Sequence, residues 1–294
     1  MAERKDRFDM ATPPSGVPYV LGDTGAEHAR LVRQAAIFNP FTERLFRDAG
    51  IGPGQRVLDI GSGVGDIAML VARLVGPTGE VVGVERDVST MAKARDRVAE
   101  AGLHNVSFME SDVGHVVRSE PFDAVVGRLI LEFLPDPGAV VRSLSTLVRP
   151  GGVVAFQDAC WGPLLQLTAP LPLRAKCVSL IHQTFQRSGA NMDMEFVLYR
   201  MFQEAGLPAP SMRIEVPVGD GPEIARWVYD LFCSLRPRMQ QHDLPSGAFG
   251  DLDSLLPRLE AELAGTKTFA ACIGLVGAWS RKPGSTQSVG DTRL

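Results

Sequence analysis

The stretch Arg56-Val57-Leu58-Asp59-Ile60-Gly61-Ser62-Gly63-Val64-Gly65-Asp66 decides the fold of this chain. Its apolar residues before Gly61 predict a buried strand with Asp59 inside it. Glycines at alternate positions follow, and residues 67–75 then have helical spacing. A strand, a glycine turn and a helix N-terminus form the device with which open parallel sheets hold nucleotides. Glycine lets a ligand lie against the backbone, and the helix N-terminus offers unpaired N–H groups.

Two more acidic residues follow the next two predicted strands. Glu85 ends the strand at 81–84, 20 residues after Gly65, and Asp112 follows the strand at 106–109. A carboxylate in the position of Glu85 can accept hydrogen bonds from both hydroxyls of a ribose. The spacing Gly-x-Gly-x-Gly also differs from the dinucleotide fingerprint Gly-x-Gly-x-x-Gly. Three carboxylates, counting Asp59, therefore favour a cationic nucleoside without phosphate over a dinucleotide.

These motifs together resemble those of the class I S-adenosylmethionine-dependent methyltransferases. The segment from Tyr19 to Thr42 and the turn Arg149-Pro150-Gly151-Gly152 resemble a bacterial group that methylates small molecules and natural products. The resemblance implies S-adenosylmethionine as cofactor and S-adenosylhomocysteine as product. It implies an α/β, Rossmann-like sheet of seven strands in the order 3-2-1-4-5-7-6, with an antiparallel last hairpin. The resemblance is specific over residues 19–160 and holds only in outline over 161–280.

The resemblance also implies which residues contact the cofactor. Glu85 would bind the ribose and Asp112 the adenine amino group, while Val113 and the stem of Arg86 would flank the adenine. Arg86 is equally consistent with a solvated surface residue. The full predicted set is Tyr19, Gln34, Asp59, Gly61, Ser62, Gly63, Gly65, Glu85, Arg86, Asp112, Val113 and Arg128.

Three further members of this set also have a second interpretation. Arg128 follows the fourth strand and would lie near the methionyl group, where a guanidinium can hold its carboxylate. Alternatively it pairs with Glu132 on a helix surface. Tyr19 and Gln34 either contact the methionine part of the cofactor or are solvated.

Methyl transfer is a single displacement that needs orientation and a dry cavity rather than a covalent protein group. A base is required only where the acceptor atom loses a proton. Asp158 ends the fifth strand and is a candidate base or substrate-orienting group, or a structural cap of the next turn. His182 lies on a predicted helix as either the base or a structural residue. Metal-dependent relatives have an adjacent Asp-Asn pair downstream, which Asn191 and Asp193 do not reproduce, so no metal is expected.

Aromatic residues are concentrated beyond the fifth strand. Five of them are candidates for an acceptor pocket, although aromatic residues at such spacing also form the core of a lid. They are Trp161, Phe185, Phe196, Tyr199 and Trp227.

The β/α alternation is regular between residues 50 and 152. Strands are predicted at 57–60, 81–84, 106–109, 122–126 and 153–156, with helices at 67–75, 89–101 and 137–147. A lead-in helix at 27–48 contains Pro40, which is expected to kink or split it.

The second half is predicted as helices at 173–187 and 192–205, a strand at 212–218 with Ile214 and Val216 inward, helices within 222–264 broken near Pro237 and Pro245, and a last strand at 269–279.

These elements define the expected organisation. Residues 1–49 form an N-terminal extension with lead-in helices, 50–280 the methyltransferase domain, and 281–294 a flexible tail. Two insertions, 159–205 and 221–265, are expected to fold back as a helical lid without a separate core.

Composition excludes several classes of function. The chain has 294 residues, 45% of them hydrophobic, and a net charge of −4 with no basic block, which disfavours nucleic-acid binding. Its four cysteines form no Cys-x-x-Cys pair, and neither a membrane span nor a signal peptide is evident. We expect a cytoplasmic monomer or homodimer without nucleic-acid or membrane partners. Its acceptor would be a small, partly hydrophobic and possibly aromatic metabolite of bacterial secondary metabolism, methylated at O, N or C.

Two other functions remain open. A nicotinamide-dependent oxidoreductase is disfavoured by the glycine spacing and by the absence of a Tyr-x-x-x-Lys pair after the fourth strand. A protein that binds S-adenosylmethionine without methylating, such as a cyclase, decarboxylase or regulatory subunit, is compatible with the motifs because a fold does not fix its chemistry.

Overall fold

The computed structural model describes residues 20–21, 24–116 and 120–284. The strands are β1 (Arg56–Ile60), β2 (Glu80–Glu85), β3 (Val106–Glu110), β4 (Phe122–Arg128), β5 (Val148–Cys160), β6 (Ser211–Glu215), β7 (Val218–Gly219), β8 (Ala270–Ala271) and β9 (Gly274–Arg281). Seven of them form one sheet in the order β3-β2-β1-β4-β5-β9-β6. The first five are parallel, whereas β9 is antiparallel to both β5 and β6. The predicted sheet is confirmed, with β9 as its reversed strand.

The helices are α1 (Gly25–Asp48), α2 (Asp66–Val75), α3 (Val88–Glu100), α4 (Pro137–Thr146), α5 (Trp161–Leu167), α6 (Pro172–Arg187), α7 (Met194–Glu204), α8 (Pro222–Gln241) and α9 (Leu255–Thr266). Short 3₁₀ turns occupy Leu131–Phe133 and Ser246–Phe249. Pro40 does not split α1, because buried side chains on both sides of it, Phe38 and Leu45, hold the helix against the rest of the protein.

Successive side chains along the central strands point to opposite faces of the sheet and pack against the helices on both sides. In β1, Val57 packs with α2 on one face, while Leu58 and Ile60 pack on the other. Such fully buried strands are apolar on both sides because helices cover both faces of a parallel sheet. Only the carboxyl ends of the strands are left to bind a ligand.

The segments predicted as insertions divide into two kinds. In α7, Leu198 and Phe202 are buried in the cluster that also contains Val125 and Phe156 of the sheet. This helix therefore flanks the sheet rather than forming part of a lid. The helices α5, α6, α8 and α9 share another hydrophobic cluster, which includes Leu164, Ile181, Phe232 and Leu259. The same cluster also contains Phe38 of α1 and Leu275 of β9, so the core of these four helices is continuous with that of the rest of the protein.

Several local predictions fail where tertiary contacts override the sequence pattern. The sequence predicts that Ile214 points inward, but its side chain is 52% exposed, because β6 is the edge strand of the sheet. The helix α8 runs through Pro237 and ends only at Gln241. No helix in the described ranges is long and apolar enough to cross a membrane.

Candidate functional site

A cavity of about 820 Å³ lies at the carboxyl ends of the parallel strands, beneath α1, α6 and α8. Twelve predicted site residues line it: Gln34, Gly61, Ser62, Gly63, Glu85, Arg86, Asp112, Val113, Arg128, Trp161, Phe185 and Trp227. The fold thus brings together side chains from the glycine loop, from the ends of β2, β3 and β4, and from the helices after β5.

The glycine loop has the backbone that its sequence requires. Gly61, Gly63 and Gly65 have φ values of 66°, 52° and 86°, a region that favours glycine. A Cβ on Gly61 would lie 2.8 Å from the side chain of Ile130, whereas a Cβ on Gly63 would meet nothing within 4 Å. Gly61 is therefore required for packing, and Gly63 faces open space that a ligand can occupy. Gly65 does not line the cavity; it precedes the first residue of α2.

Three backbone N–H groups fix the carboxylate of Glu85. Its Oε2 accepts from Gly63 at 3.0 Å, and its Oε1 accepts from Arg86 at 2.9 Å and Asp87 at 3.0 Å. Because each carboxylate oxygen accepts about two hydrogen bonds, Oε2 keeps room for a ligand hydroxyl. The side chain of Glu85 is thus oriented before any ligand arrives.

Asp59 is predicted to contact the cofactor directly, but its side chain does not reach the cavity. Its side chain is 1% exposed and does not line the cavity, and neither of its carboxylate oxygens has a hydrogen-bond partner among the described residues. Burial raises the pKa of Asp59 well above its usual value, and the positive charge of Arg128 opposes this shift only in part. The structure places Asp59 within the core beneath the glycine loop.

Arg128 connects the cavity wall to α1. Its Nη1 donates to Asn39 Oδ1 at 2.9 Å and to Thr42 Oγ1 at 3.0 Å, and the Thr42 hydroxyl donates to Gln157 at 2.6 Å. Burial lowers the pKa of Arg128 to about 10, so the guanidinium remains charged at neutral pH. Within the part of the chain that is described it forms no ion pair with Glu132, which removes the alternative interpretation of a surface pair.

A buried polar network forms the roof of the cavity. Arg30 makes two hydrogen bonds to Glu27, at 2.8 and 2.6 Å, and donates to Gln34 Oε1 at 2.7 Å. Trp227 Nε1 donates to the same oxygen at 3.1 Å. Because Gln34 Oε1 already accepts two donors, the amide NH₂ is the group that Gln34 can offer to a ligand. Nearby, His28 Nε2 lies 3.2 Å from Thr90 Oγ1, so α1 contacts α3 beside the cavity.

The 3₁₀ turn after β4 brings in an acidic residue that we did not predict as functional. Glu132 lines the cavity while only 6% exposed. The backbone N–H groups of Ile130 and Glu132 donate to Asp158 Oδ1 at 3.1 and 3.3 Å. A signal was present in the sequence, because Glu132 is the only charged residue in the otherwise apolar run 129–134.

The candidate base Asp158 is not part of the cavity wall. Its side chain is fully buried, its Oδ2 has no partner among the described residues, and burial raises its pKa to about 7. The pKa of neighbouring Glu132 is also raised, by burial first and by the charge of Asp158 second. Two carboxyl groups in one dry site cannot both ionise easily.

The aromatic candidates separate into two groups. Trp161, Phe185 and Trp227 line the cavity, and the rings of Trp161 and Phe185 lie 5.6 Å apart. In contrast, Phe196 and Tyr199 are 76% and 45% exposed and do not line it. Their prediction as pocket residues is corrected because α7 buries its opposite face against the sheet.

The other catalytic candidate, His182, also lies outside the cavity wall. Its ring packs edge-on against Trp161 with centroids 5.3 Å apart, and burial lowers its pKa. Tyr19 lies outside the described residues.

The site has the chemistry that an adenosyl sulfonium ligand needs. Glu85 and Asp112 offer carboxylates at one end, and Arg128 offers a cation for a carboxylate. The Ser62 hydroxyl lines the same region and has no hydrogen-bond partner among the described residues. Open space at Gly63 and an unpaired hydroxyl at Ser62 fit a polar ligand lying across the glycine loop. No set of three His, Cys, Asp or Glu side chains in the described ranges is arranged to hold a metal ion.

Similar proteins of known name match parts of the chain. An arsenite methyltransferase from Halobacterium salinarum is 36% identical over 125 residues, covering 42% of this chain and 30% of that protein. The ubiquinone/menaquinone biosynthesis C-methyltransferase UbiE from Pseudomonas putida is 36% identical over 106 residues, covering 35% of this chain and 41% of that protein. A demethylmenaquinone methyltransferase from Staphylococcus aureus is 26% identical over 176 residues, covering 56% of this chain and 72% of that protein. The match thus spans less than half of the length of the first two relatives.

Solved structures share the fold at low sequence identity. The YcgJ protein from Bacillus subtilis has a TM-score of 0.54 at 17% identity, covering 81% of this chain and 96% of its own. The [4+2]-cyclase SpnF has a TM-score of 0.52 at 18% identity, covering 83% of this chain and 80% of its own. The family described as "Methyltransferase domain" matches residues 51–206, over half of the sequence and the whole of the glycine loop, β2, β4 and β5. This chain belongs to that methyltransferase-domain family, with the class I Rossmann-like fold.

Proposed function

We propose that this protein is an S-adenosylmethionine-dependent methyltransferase acting on a small, partly hydrophobic organic molecule. The observation that carries the proposal is the carboxylate of Glu85, held by the N–H of Gly63 at 3.0 Å at the edge of a cavity of about 820 Å³. The names of the relatives support a small methyl acceptor.

Different residues of the cavity would bind different parts of the cofactor. Glu85 and Asp112 would hold the adenosine, and Arg128 with the amide NH₂ of Gln34 would hold the methionyl group. S-adenosylmethionine supplies an electrophilic methyl group with a good leaving group. The chain itself would orient the two reactants and exclude water with the roof of α1, α6 and α8, which favours a reaction in which charge disperses.

The cysteines favour an organic acceptor over arsenite. Arsenite is a soft, thiol-seeking species, and thiolates are the form of cysteine that binds such species. None of the four cysteines lines the cavity. Burial raises the pKa of Cys160, Cys177 and Cys272 to about 12, so these three are thiols at neutral pH. An aromatic or heteroaromatic acceptor, of the kind made by the bacterial natural-product enzymes that the sequence resembles, fits Trp161, Phe185 and Trp227 better.

The catalytic candidates from the sequence are revised in this proposal. Asp158 fixes the turn that carries Glu132, and any contact with the acceptor is made by Glu132. His182 packs on Trp161 and supports the shape of the pocket.

The cofactor is tested by calorimetric titration of wild type with S-adenosylhomocysteine and, separately, with NADH. We expect micromolar binding of the former only. Glu85→Gln should weaken it at least about tenfold, because hydrogen bonds to a charged carboxylate are lost. Glu110→Gln, at the exposed end of β3, is the matched control and should bind like wild type. Binding of NADH without S-adenosylhomocysteine would overturn the proposal.

Methylation itself is tested by incubating the protein and S-adenosylmethionine with a panel of aromatic hydroxyl, amine and quinol compounds. Mass spectrometry then detects a product heavier by one methylene group. A protein that binds the cofactor and methylates no member of a broad panel would instead support a non-methylating function.

A further inference from the structure

We propose that Glu132 selects the methyl acceptor. It accepts a hydrogen bond from an O–H or N–H group of an uncharged aromatic acceptor and disfavours acceptors that carry a carboxylate. This inference rests on the proposed function and adds a substrate class and the residue that determines it.

Glu132 is held from two sides. Its backbone N–H donates to Asp158 Oδ1 at 3.3 Å, and its carbonyl oxygen accepts the N–H of Asn191 at 2.8 Å. The first bond ties the turn to β5 and the second ties it to the segment between α6 and α7. These bonds fix the direction in which the side chain leaves the backbone, and its 6% exposure limits the positions that the carboxyl group can take. A group held in this way meets a requirement for selecting a substrate.

Among the described residues, neither Glu132 nor Asp158 takes part in an ion pair. Three arginines line the cavity. Arg30 is paired with Glu27, Arg128 donates to Asn39 and Thr42, and Arg86 directly follows Glu85 at the end of β2. The part of the cavity next to Glu132 therefore has excess negative charge when the pair is ionised.

The surroundings of Glu132 are apolar and aromatic. Phe133, Leu134, Trp161 and Phe185 line the same cavity. In such a dry site a second negative charge is costly, whereas a neutral hydroxyl or amine loses little on entering. Glu132 keeps an oxygen that accepts a hydrogen bond in either protonation state.

A second polar group, the indole N–H of Trp161, indicates that the ligand carries a polar atom. The indole Nε1 of Trp161 has no hydrogen-bond partner among the described residues, although the side chain is only 3% exposed and lines the cavity. A hydroxyl group both donates and accepts, so one hydroxyl has the chemistry to satisfy Glu132 and Trp161 together.

The test uses two probes with the same ring system, the neutral 2-naphthol and the anionic 2-naphthoate. Each is titrated calorimetrically into the protein saturated with S-adenosylhomocysteine, at about pH 8. This pH lies above the pKa of Asp158, which burial raises to about 7, so the carboxyl pair carries at least one negative charge. We expect wild type to bind 2-naphthol at least about tenfold more tightly than 2-naphthoate. Glu132→Gln should reduce that ratio at least about fivefold, because the hydrogen bond and the repulsion both weaken.

Two further variants make the result specific. Glu204→Gln, an exposed position on α7, should keep the wild-type ratio. Glu132→Asp keeps the carboxyl group but withdraws it from the ligand, so rejection of 2-naphthoate should persist while 2-naphthol binds more weakly. Affinity for S-adenosylhomocysteine should stay within about twofold in all three variants, since none of the changed residues is at the adenosyl end of the cavity.

The possible failures can be told apart. An unchanged ratio in Glu132→Gln, equal binding of the two probes by wild type, or binding of neither probe would each overturn the role of Glu132 and leave the cofactor assignment intact. Failure of wild type to bind S-adenosylhomocysteine would overturn the proposed function, and this inference with it.

Discussion

At the scale of single residues, Asp158 is a buried carboxyl group with unequal oxygens. Its Oδ1 accepts the N–H groups of Ile130 and Glu132, whereas its Oδ2 has no partner among the described residues. A protonated Oδ2 removes the cost of burying a charge. The same burial that raises the pKa of Asp158 therefore makes the folded protein hold a proton that the unfolded chain releases.

The two pKa values of Asp158, folded and unfolded, determine how its contribution to the free energy of unfolding changes with pH. An unfolded aspartate titrates near ~3.9, and Asp158 titrates at about 7 in the folded protein. Between these values the folded state binds more protons, so this group makes the free energy of unfolding fall as pH rises. Asp158→Asn keeps an oxygen for the two N–H groups and cannot ionise. Its stability relative to wild type should increase by at least about 1 kcal/mol between pH ~5 and ~8.

Urea denaturation of both proteins at the two pH values measures this difference directly. Subtracting wild type from variant at each pH cancels the contributions of other buried acids such as Asp59. A difference that is constant, or that falls with pH, would show that Asp158 is ionised in the folded protein throughout this range.

At the scale of elements, the packing of α1 on β9 depends on a missing side chain. A Cβ on Gly277 would lie 2.6 Å from Leu45 Cδ1 and 2.9 Å from Cδ2. Leu45 is 1% exposed, and the close packing of protein interiors leaves its side chain little room to move. Gly277→Ala should lower the free energy of unfolding by about 1–3 kcal/mol, because overpacking forces side chains or backbone to shift.

Gly265 provides the matched control for this substitution. It lies within α9, and a Cβ there would meet nothing within 4 Å. Gly265→Ala should raise stability by up to about 1 kcal/mol, since alanine is the better helix former. Thermal and urea unfolding of the two variants should give changes of opposite sign; a neutral Gly277→Ala would mean that α1 moves away from β9 at little cost.

Prediction from sequence succeeded where an element is specified by its own residues. The glycine loop and Glu85 were predicted because a strand, a turn and a helix N-terminus lie within one short segment. The predictions that Ile214 points inward and that Phe196 and Tyr199 of α7 line the pocket were wrong, because the neighbours that decide burial there are distant in sequence.

At the scale of the whole molecule, the same reasoning explains why one end of the cavity was predicted more completely than the other. The end proposed to hold the adenosine comes from consecutive strand ends, which a sequence pattern reveals. At the end proposed to hold the acceptor, Trp161, Phe185 and Trp227 were predicted and Glu132 was not, and these four residues come from four separate segments. Their meeting depends on how the helices after β5 pack, so Glu132 was not predicted as functional and Phe196 and Tyr199 were wrongly included.

The roof of the cavity should respond to the ligand as a unit. The residues that α1 contributes, including Arg30 and Gln34, lie above the glycine loop and bond to α8 through Trp227. A ligand at a hundred times its dissociation constant stabilises the bound form by about 2.7 kcal/mol. Amide hydrogen exchange over residues 27–34 should therefore slow by up to about a hundredfold with saturating S-adenosylhomocysteine, if opening of this segment requires release of the ligand.

Mass spectrometry of exchanged peptides measures this effect. The helix α9 does not line the cavity and is the internal control, because its local opening does not expose the ligand. Equal slowing in both helices would indicate a global rather than a local effect, and no slowing over residues 27–34 would contradict their role as a roof.

The long-range contacts of α1 also determine when this protein can fold during synthesis. The helix is made well before its partners: Trp227 and Asp230 bond to Gln34 and Arg33, and Leu45 packs on Gly277. A growing chain therefore leaves these contacts of α1 unmade until α8 and β9 have emerged from the ribosome. A chain that stops before α8 lacks these partners of α1, which favours aggregation or binding by chaperones.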